Sequence, residues 1–297
     1  MEKPVTTLES HIQAYLAYLR DEEKSRNTLS KYEYDLRRFI KFLTEAGGGE
    51  PDKAGALTGL TKEILRAYKD EISQSYAAVS VNSMLAAVNG FLSFQGMGDM
   101  HIKQLRIQHR VFCGQDEELD REEYGRILEA AAAEKKQSNL NLILQTICAT
   151  GIRVGELVHI TVEAVRAGRA DVLSKGKARQ ILIPASLRRL LLEHIERKKL
   201  TTGSIFLTRS GRPVHRSNIW RGMKNLKEAA GVAAAKLFPH NLRRLFARVY
   251  YDIGKDLARL ADILGHSDVR TTQIYIMSSG HEHLRQLDRM NLVARRA

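Results

Sequence analysis

Apolar residues recur at helical spacing through the first hundred positions. Leu8, Ile12, Tyr15, Leu16 and Leu19 share one helical face. Ser25, Arg26, Asn27 and Thr28 offer capping side chains ahead of a second helix carrying Tyr32, Leu36, Phe39, Ile40 and Leu43. Gly47, Gly48 and Gly49, followed by Pro51, end it. A third helix is predicted over 61–73. A fourth, over 80–95, holds Met84, Leu85, Val88, Phe91 and Leu92. Together these four make a small helical bundle.

Gly96 and Gly98 then open a segment of different character. Lys103, Arg106, His109 and Arg110 precede the acidic cluster Asp116, Glu117 and Glu118. This stretch reads either as a solvated tether or as a strap along a phosphate backbone. It sets the predicted organisation: an N-terminal domain over 1–98, a linker over 99–117 and a second domain over 118–297. The second domain opens with helices over 120–133 and 140–149; the latter is apolar nearly all round and should be buried. Over 160–184 the period changes. Two short runs, 170–174 and 180–184, flank Lys175, Gly176 and Lys177 and predict an antiparallel hairpin. Helices return over 185–199, 216–230, 240–253, 256–264, 268–276 and 281–291. The fold class is mainly α with a small antiparallel β-sheet.

Charge narrows the function. Lys and Arg number 47 against 34 Asp and Glu, a formal net charge of +13. Residues 1–110 contribute +1 of this and residues 111–297 contribute +12. Such an excess favours a polyanionic partner, nucleic acid first and an anionic membrane second. No apolar run is long enough to span a bilayer, and the N-terminus lacks a signal-peptide pattern. Cys113 and Cys148 build neither a disulfide framework nor a CxxC zinc site. The expectation is a soluble, reduced, cytoplasmic protein.

Four places carry candidate chemistry. In the segment ATGIRVGEL at 149–157 a buried helix ends at Gly151, and Arg153 follows beside apolar surface, with Glu156 three residues on as its simplest partner. In PHNLR at 239–243, Pro239 fits a first helical turn and puts His240 and Arg243 on one face. In LGHS at 264–267, Gly265 is a candidate helix cap and His266 sits in the turn, with Tyr275 nine residues later. Lys175 occupies the hairpin turn. Taken one at a time, each has an ordinary structural explanation.

Together and in this order they resemble the tyrosine recombinase family, the phage integrases and Xer-type recombinases. The resemblance rests on ATGIRVGEL, SKGKARQILIP at 174–184, HNLRR at 240–244 and LGHSDVRTTQIY at 264–275. It covers the second domain, and the first looks like the family's SAM-like core-binding domain. The longer run HNLRRLFARVYYDIGKDLARLADILGHS looks like integrases of Gram-positive mobile elements.

The resemblance implies a site-specific recombinase of double-stranded DNA that forms a 3′-phosphotyrosine and a Holliday junction, with no cofactor and no metal. Arg153, Lys175, His240, Arg243, His266 and Tyr275 would be catalytic. Tyr275 would be the nucleophile; a free phenol, with a pKa of about 10, needs help at neutral pH, and His240 would take its proton. Arg153 and Arg243 would hold the phosphate oxygens, and His266 would add a hydrogen bond. Lys175 or Lys177 would protonate the leaving 5′-oxygen. Glu156 would brace the arginines. Arg244 stands where many relatives carry His. DNA would be gripped as a clamp, with contacts from Arg26, Lys31, Asn82 and Ser83 and from Lys177, Arg179, Arg209, Arg212, Arg216 and Arg221. The working form would be a homotetramer on synapsed DNA, with accessory DNA-bending or directionality proteins and no membrane. The helix over 281–291, with Leu284, Leu287, Met290 and Asn291, either packs on its own domain or docks on a neighbour.

Three alternatives stay open. They are a non-catalytic DNA-binding protein, a topoisomerase or resolvase using the same tyrosine, and a metal-dependent nuclease with His240, His266, His281 and His283 as ligands.

Overall fold

The computed structural model describes residues 8–45, 59–107, 118–134, 139–174, 177–266, 268–276 and 288–290. The chain divides into two compact units, Met1–His109 and Arg110–Ala297.

The first unit packs four helices: α1 (Leu8–Asp21), α2 (Arg26–Glu45), α3 (Lys62–Ser75) and α4 (Ala78–Phe94). The predicted face of α1 is its buried face, residue for residue. In α2 the buried set is Leu36, Phe39 and Leu43, together with one surprise, Asp35. Asp35 is tolerable there because Lys31, one turn earlier, meets its carboxylate at 2.5 Å. Thr61 caps α3 by accepting from the Ile64 N–H.

Residues 101–107 do not run free as a tether. Asn82 and Asn89, two turns apart on α4, each clasp the backbone of this segment. Each amide donates to a carbonyl and accepts from the same residue's N–H, Asn89 with Ile102 and Asn82 with Leu105, at 2.7–2.9 Å. Lys69 Nζ adds a bond to the Lys103 carbonyl. Extended chain has no internal partners for its polar groups, and these amides supply them. The rest of the predicted linker, 108–117, lies outside the described residues.

The second unit is built on α5 (Arg121–Ala133), α6 (Leu140–Thr150), a 3-10 segment (Val154–His159), α7 (Val162–Ala167), β1 (Arg169–Ser174), β2 (Lys177–Leu182), α8 (Ala185–Lys198), α9 (Arg216–Asn225), α10 (Lys227–Ala230), α11 (Pro239–Gly254), α12 (Leu257–Leu264) and α13 (Val269–Ile276). The hairpin is a two-stranded antiparallel sheet in which Arg169 pairs with Leu182 and Ser174 with Lys177. Its second strand starts three residues earlier than the sequence pattern suggested.

Two further expectations are corrected. Residues 162–167 form a helix rather than part of a strand region, capped by the Thr161 side chain and closed by Gly168 at φ +73°. Six residues are too few to display a 3.6-residue period. The helix expected over 216–230 is interrupted at Leu226. The expected helix over 281–291 lies outside the described residues except for the helical stretch 288–290.

The core of this unit centres on α6, as its all-round apolar sequence required. Ile143, Leu144 and Ile147 are buried against Ile160, Val162, Leu191 and Leu242. The helix ends at Gly151, which adopts φ +62°. A β-carbon there would lie 2.4 Å from the Phe246 ring and 3.1 Å from Leu264, so both conformation and space demand glycine. Gly151→Ala should therefore cost roughly 2–4 kcal/mol in urea unfolding, combining left-handed strain with overpacking. A loss below about 0.5 kcal/mol would show that Phe246 yields freely.

Candidate active site

Arg243 is the centre of the site. Pro239 opens α11 at its first turn. One turn on, Arg243 points inward and is 1 % exposed. Its Nη1 donates to the Gly151 carbonyl, and its Nη2 donates to the Leu264 carbonyl at 2.7 Å and meets His266 Nε2 at 3.0 Å. These bonds leave one Nη1 hydrogen and the Nε–H; the latter is buried with no partner among the described residues. Burial, and then the neighbouring Arg153, pull its pKa down to about 10, partly offset by the Tyr275 hydroxyl. It remains charged at neutral pH.

The end of α12 is shared among three arginines. Successive carbonyls accept from Arg179 Nη1 (Ile263, 2.9 Å), Arg243 Nη2 (Leu264) and Arg153 Nη2 (Gly265, 3.2 Å). These are carbonyls that a helix C-terminus leaves without intrahelical partners, at the negative end of its dipole. Gly265, at φ +63°, turns the chain here, and a β-carbon on it would press on Arg179 Cδ at 2.4 Å. The short motif Leu-Gly-His thus has a physical basis: a turn that aims carbonyls at arginines and leaves His266 beside them.

Glu156 is the carboxylate bonded to this cluster. It accepts from the Arg153 backbone N–H at 3.0 Å, from Arg153 Nη1 at 3.1 Å and from Arg179 Nη2. Burial raises its pKa, but the Arg153 and Arg179 hydrogen bonds and charge outweigh that and hold it below the ordinary carboxylate value.

Tyr275 lies against both histidines. Its ring centroid is 5.0 Å from that of His240 and 5.1 Å from that of His266, both edge-on, and Arg243 Cζ is 5.9 Å from its ring centre. Arg153, His240, Arg243 and Tyr275, with Ile152, Val154 and Pro239, line one cavity of about 200 Å³. Five of the six expected catalytic residues therefore converge. The sixth, Lys175, lies outside the described residues, as does the side chain of Lys177.

Both histidines are held neutral. Burial, then the Arg244, Arg243 and Arg153 guanidiniums, lower the pKa of His240 to about 4, although the residue as a whole is still exposed to solvent. Burial, then Arg243, Arg153, Arg179 and His240, bring His266 to about 4 as well. Arg244 stays half-buried on the turn that carries His240.

With this geometry in view, the relatives are informative. The profile of the phage integrase family matches residues 117–282, and that of the phage integrase N-terminal SAM-like domain matches residues 12–95. The chain belongs to the phage integrase family. It is a site-specific DNA recombinase of the tyrosine class. Tyrosine recombinase XerD of Mycobacterium tuberculosis is 29% identical over 296 residues, covering 93% of this chain and 95% of its own. Tyrosine recombinase XerA of Thermococcus onnurineus is 30% identical over 284 residues, covering 93% of each chain. The structure of a lambda integrase tetramer bound to a Holliday junction aligns with a TM-score of 0.68 at 19% identity, over 92% of this chain and 78% of that one, so the fold is shared.

Not every expected DNA-facing residue is free to act in this phage integrase family member. Arg179 is corrected: its side chain is 11% exposed and committed to Glu156 and Ile263 inside the site. The sequence placed it on a strand but did not say which face would be covered. Asn82 spends its amide on Leu105, and Lys31 is paired with Asp35. Arg26, Arg209, Arg212, Arg216 and Arg221 are exposed, and Ser83 is half-buried.

Two residues were missed. Trp220 stands 51% exposed in a groove lined by Arg216, Ser217, Phe238 and His240. Thr272 is fully buried and touches His266. Its spacing of three from Tyr275 on one helix was the available signal.

The histidine shifts predict a pH effect. Below the ordinary value of 6.5 the unfolded chain takes up protons that the folded His266, at about 4, refuses. Stability should be full above that ordinary value and fall as pH drops toward the folded one. Melting temperature against pH should show this slope, and His266→Gln should flatten it in part, His240 contributing a like share. An unflattened slope would refute the assignment.

Proposed function

We propose that the chain cuts and rejoins DNA at a specific site through a 3′-phosphotyrosine linkage, exchanging strands by way of a Holliday junction. The observation that carries this reading is the cavity in which Tyr275, His240, Arg153 and Arg243 face one another, with carbonyls rather than acids compensating most of the buried charge.

The Tyr275 hydroxyl oxygen forms a bond to the scissile phosphorus as the bond from phosphorus to the 5′-oxygen breaks. The phenolic proton passes to His240, which is neutral in the free protein and gains basicity once the anionic phosphate offsets the arginines that, after burial, depress its pKa to about 4. Negative charge gathers on the non-bridging oxygens. Arg243, which lines the cavity, and the partly exposed Arg153 meet it with donors that stay protonated. Lys175 gives a proton to the leaving 5′-oxygen. A 5′-hydroxyl from the partner duplex later attacks the phosphotyrosine and restores the tyrosine. The linkage conserves the energy of the broken diester, so neither a metal nor a nucleotide is required.

DNA is bound mainly through phosphates by the basic surface of the second unit, Arg209, Arg212, Arg216 and Arg221 included, so binding weakens steeply with salt. The active assembly is a tetramer on synapsed DNA, in keeping with the lambda integrase tetramer bound to a Holliday junction, joined by DNA-bending or directionality proteins. For the biological role, the segment from His240 to Ser267 supports an integrase of a mobile element. The near-complete mutual coverage with XerD and XerA supports a second reading, a chromosome-dimer resolvase. The DNA site protected by the protein separates them: an element end for the first, a fixed chromosomal site for the second.

Tyr275→Phe should bind its DNA normally yet form no covalent adduct on a nicked suicide duplex in a denaturing gel. The wild-type adduct should persist in EDTA; its loss there would favour the metal-dependent nuclease. Lys175→Ala should slow cleavage by about 10²-fold or more, with rescue by a 5′-thio leaving group that needs no acid. Rescue of Lys177→Ala instead would move that role to Lys177.

A further inference from the structure

The chain that joins the two units is held at both of its ends. At the near end, residues 101–107 fold back along α4. Asn89 exchanges two hydrogen bonds with the backbone of Ile102, at 2.8 and 2.9 Å, and Asn82 exchanges two with that of Leu105, at 2.7 and 2.9 Å. The spacings match: from Asn82 to Asn89 the helix rises about 10.5 Å, and from Ile102 to Leu105 extended chain spans about 10 Å. Each amide does what a neighbouring strand would do, and a slip of one residue would break both pairs. Ile102 is buried in the helical core and Leu105 packs against it. At the far end, Arg248 of α11 forms an ion pair with Glu118 and donates to the carbonyl of Leu119, which is 1% exposed. The same helix carries His240 and Arg243.

We propose that Asn82 and Asn89 are positioning residues for DNA binding: by pinning residues 101–107 to α4 they set the length of the link between the two units. This inference rests on the reading that both units grip one DNA site. A link over all of 99–117 would reach about 70 Å at full extension, whereas the stretch 108–117 left between the two anchors reaches about 40 Å. Once one unit is on the DNA, the other meets its part of the site at an effective concentration that falls roughly as the −3/2 power of link length. Halving the link therefore raises that concentration about threefold. Neither asparagine has to touch DNA to achieve this. The two clasps act in series. The pair Asn82–Leu105 lies nearer the link and governs its length while it holds; Asn89–Ile102 takes over only when the first is lost.

Hydrogen exchange in the full-length protein tests the clasps without reference to DNA. In wild type the Ile102 and Leu105 amides should exchange at least about 100-fold more slowly than unprotected amides. Asn89→Leu should release Ile102 and Asn82→Leu should release Leu105, with the amides of Leu85 and Val88 in α4 still protected. Binding to a linear duplex carrying the protected site tests the consequence. Asn89→Leu alone should stay within about 1.5-fold of wild-type affinity, and the two substitutions together should weaken binding about threefold. An insertion of about nine Gly and Ser residues after Ile107 of the wild type should weaken it by the same factor. Cleavage of a nicked suicide duplex at saturating protein should remain within about twofold of wild type in the doubly substituted protein, since the reacting groups are untouched. The proposal is overturned if the wild-type Ile102 and Leu105 amides exchange unprotected, or if the doubly substituted protein binds as tightly as wild type. It is also overturned if the insertion leaves affinity unchanged while Asn82→Leu lowers it, which would make Asn82 a direct DNA contact. A wild type that binds no duplex and forms no adduct would instead overturn the recombinase reading, while the exchange rates still decide whether the asparagines pin this segment.

Discussion

The second unit depends on how it pays for a buried positive charge. Arg243 has almost no exposed surface, and an unpaired guanidinium in such a place is costly. Its compensation comes from the carbonyls of Gly151 and Leu264, which mark the ends of α6 and α12. Helix C-termini offer unpaired acceptors and partial negative charge without a full counter-ion. A carboxylate in that place would have cancelled the charge. Carbonyls stabilise it and leave it available to an anionic substrate.

The same device explains why the surrounding residues are what they are. The last carbonyls of α12 and its cap engage Arg179, Arg243 and Arg153 in turn. Glycine at 151 and 265 is required by left-handed conformation and by the close approach of Phe246 and Arg179. Glu156 neutralises one charge of the cluster while clasping two of its arginines. The cluster keeps a positive excess, and burial first, then that excess, hold His240 and His266 neutral. A neutral imidazole beside the tyrosine can accept a proton; an imidazolium could not.

The helices were legible because an amphipathic helix repeats its apolar residues every three to four positions. The buried residues of α1 coincide with those that its sequence pattern marks, and the apolar α6 is the centre of the core. Short or cooperative features were not legible. The six residues of α7 carry too little period, and a break at Leu226 leaves no mark in composition. Arg179 was misread because a charged side chain is placed outside by default, and only a partner from another turn or strand makes burial tolerable, as Lys31 does for the buried Asp35.

The sequence by itself determined most of the helical elements, the hairpin, the basic second half and, through the order of its motifs, the family resemblance that marks out the arginines, histidines and tyrosine which the fold gathers. Those are properties of local period, composition and spacing, which survive in one dimension. Only the tertiary structure decided that Asn82 serves the backbone of Leu105 rather than a ligand, that Arg179 faces inward, and that Thr272 meets His266. Hydrogen bonds between side chains distant along the chain, and between side chains and carbonyls, depend on directions that no residue pattern encodes. They exist once packing has brought α6, α11, α12 and α13 together.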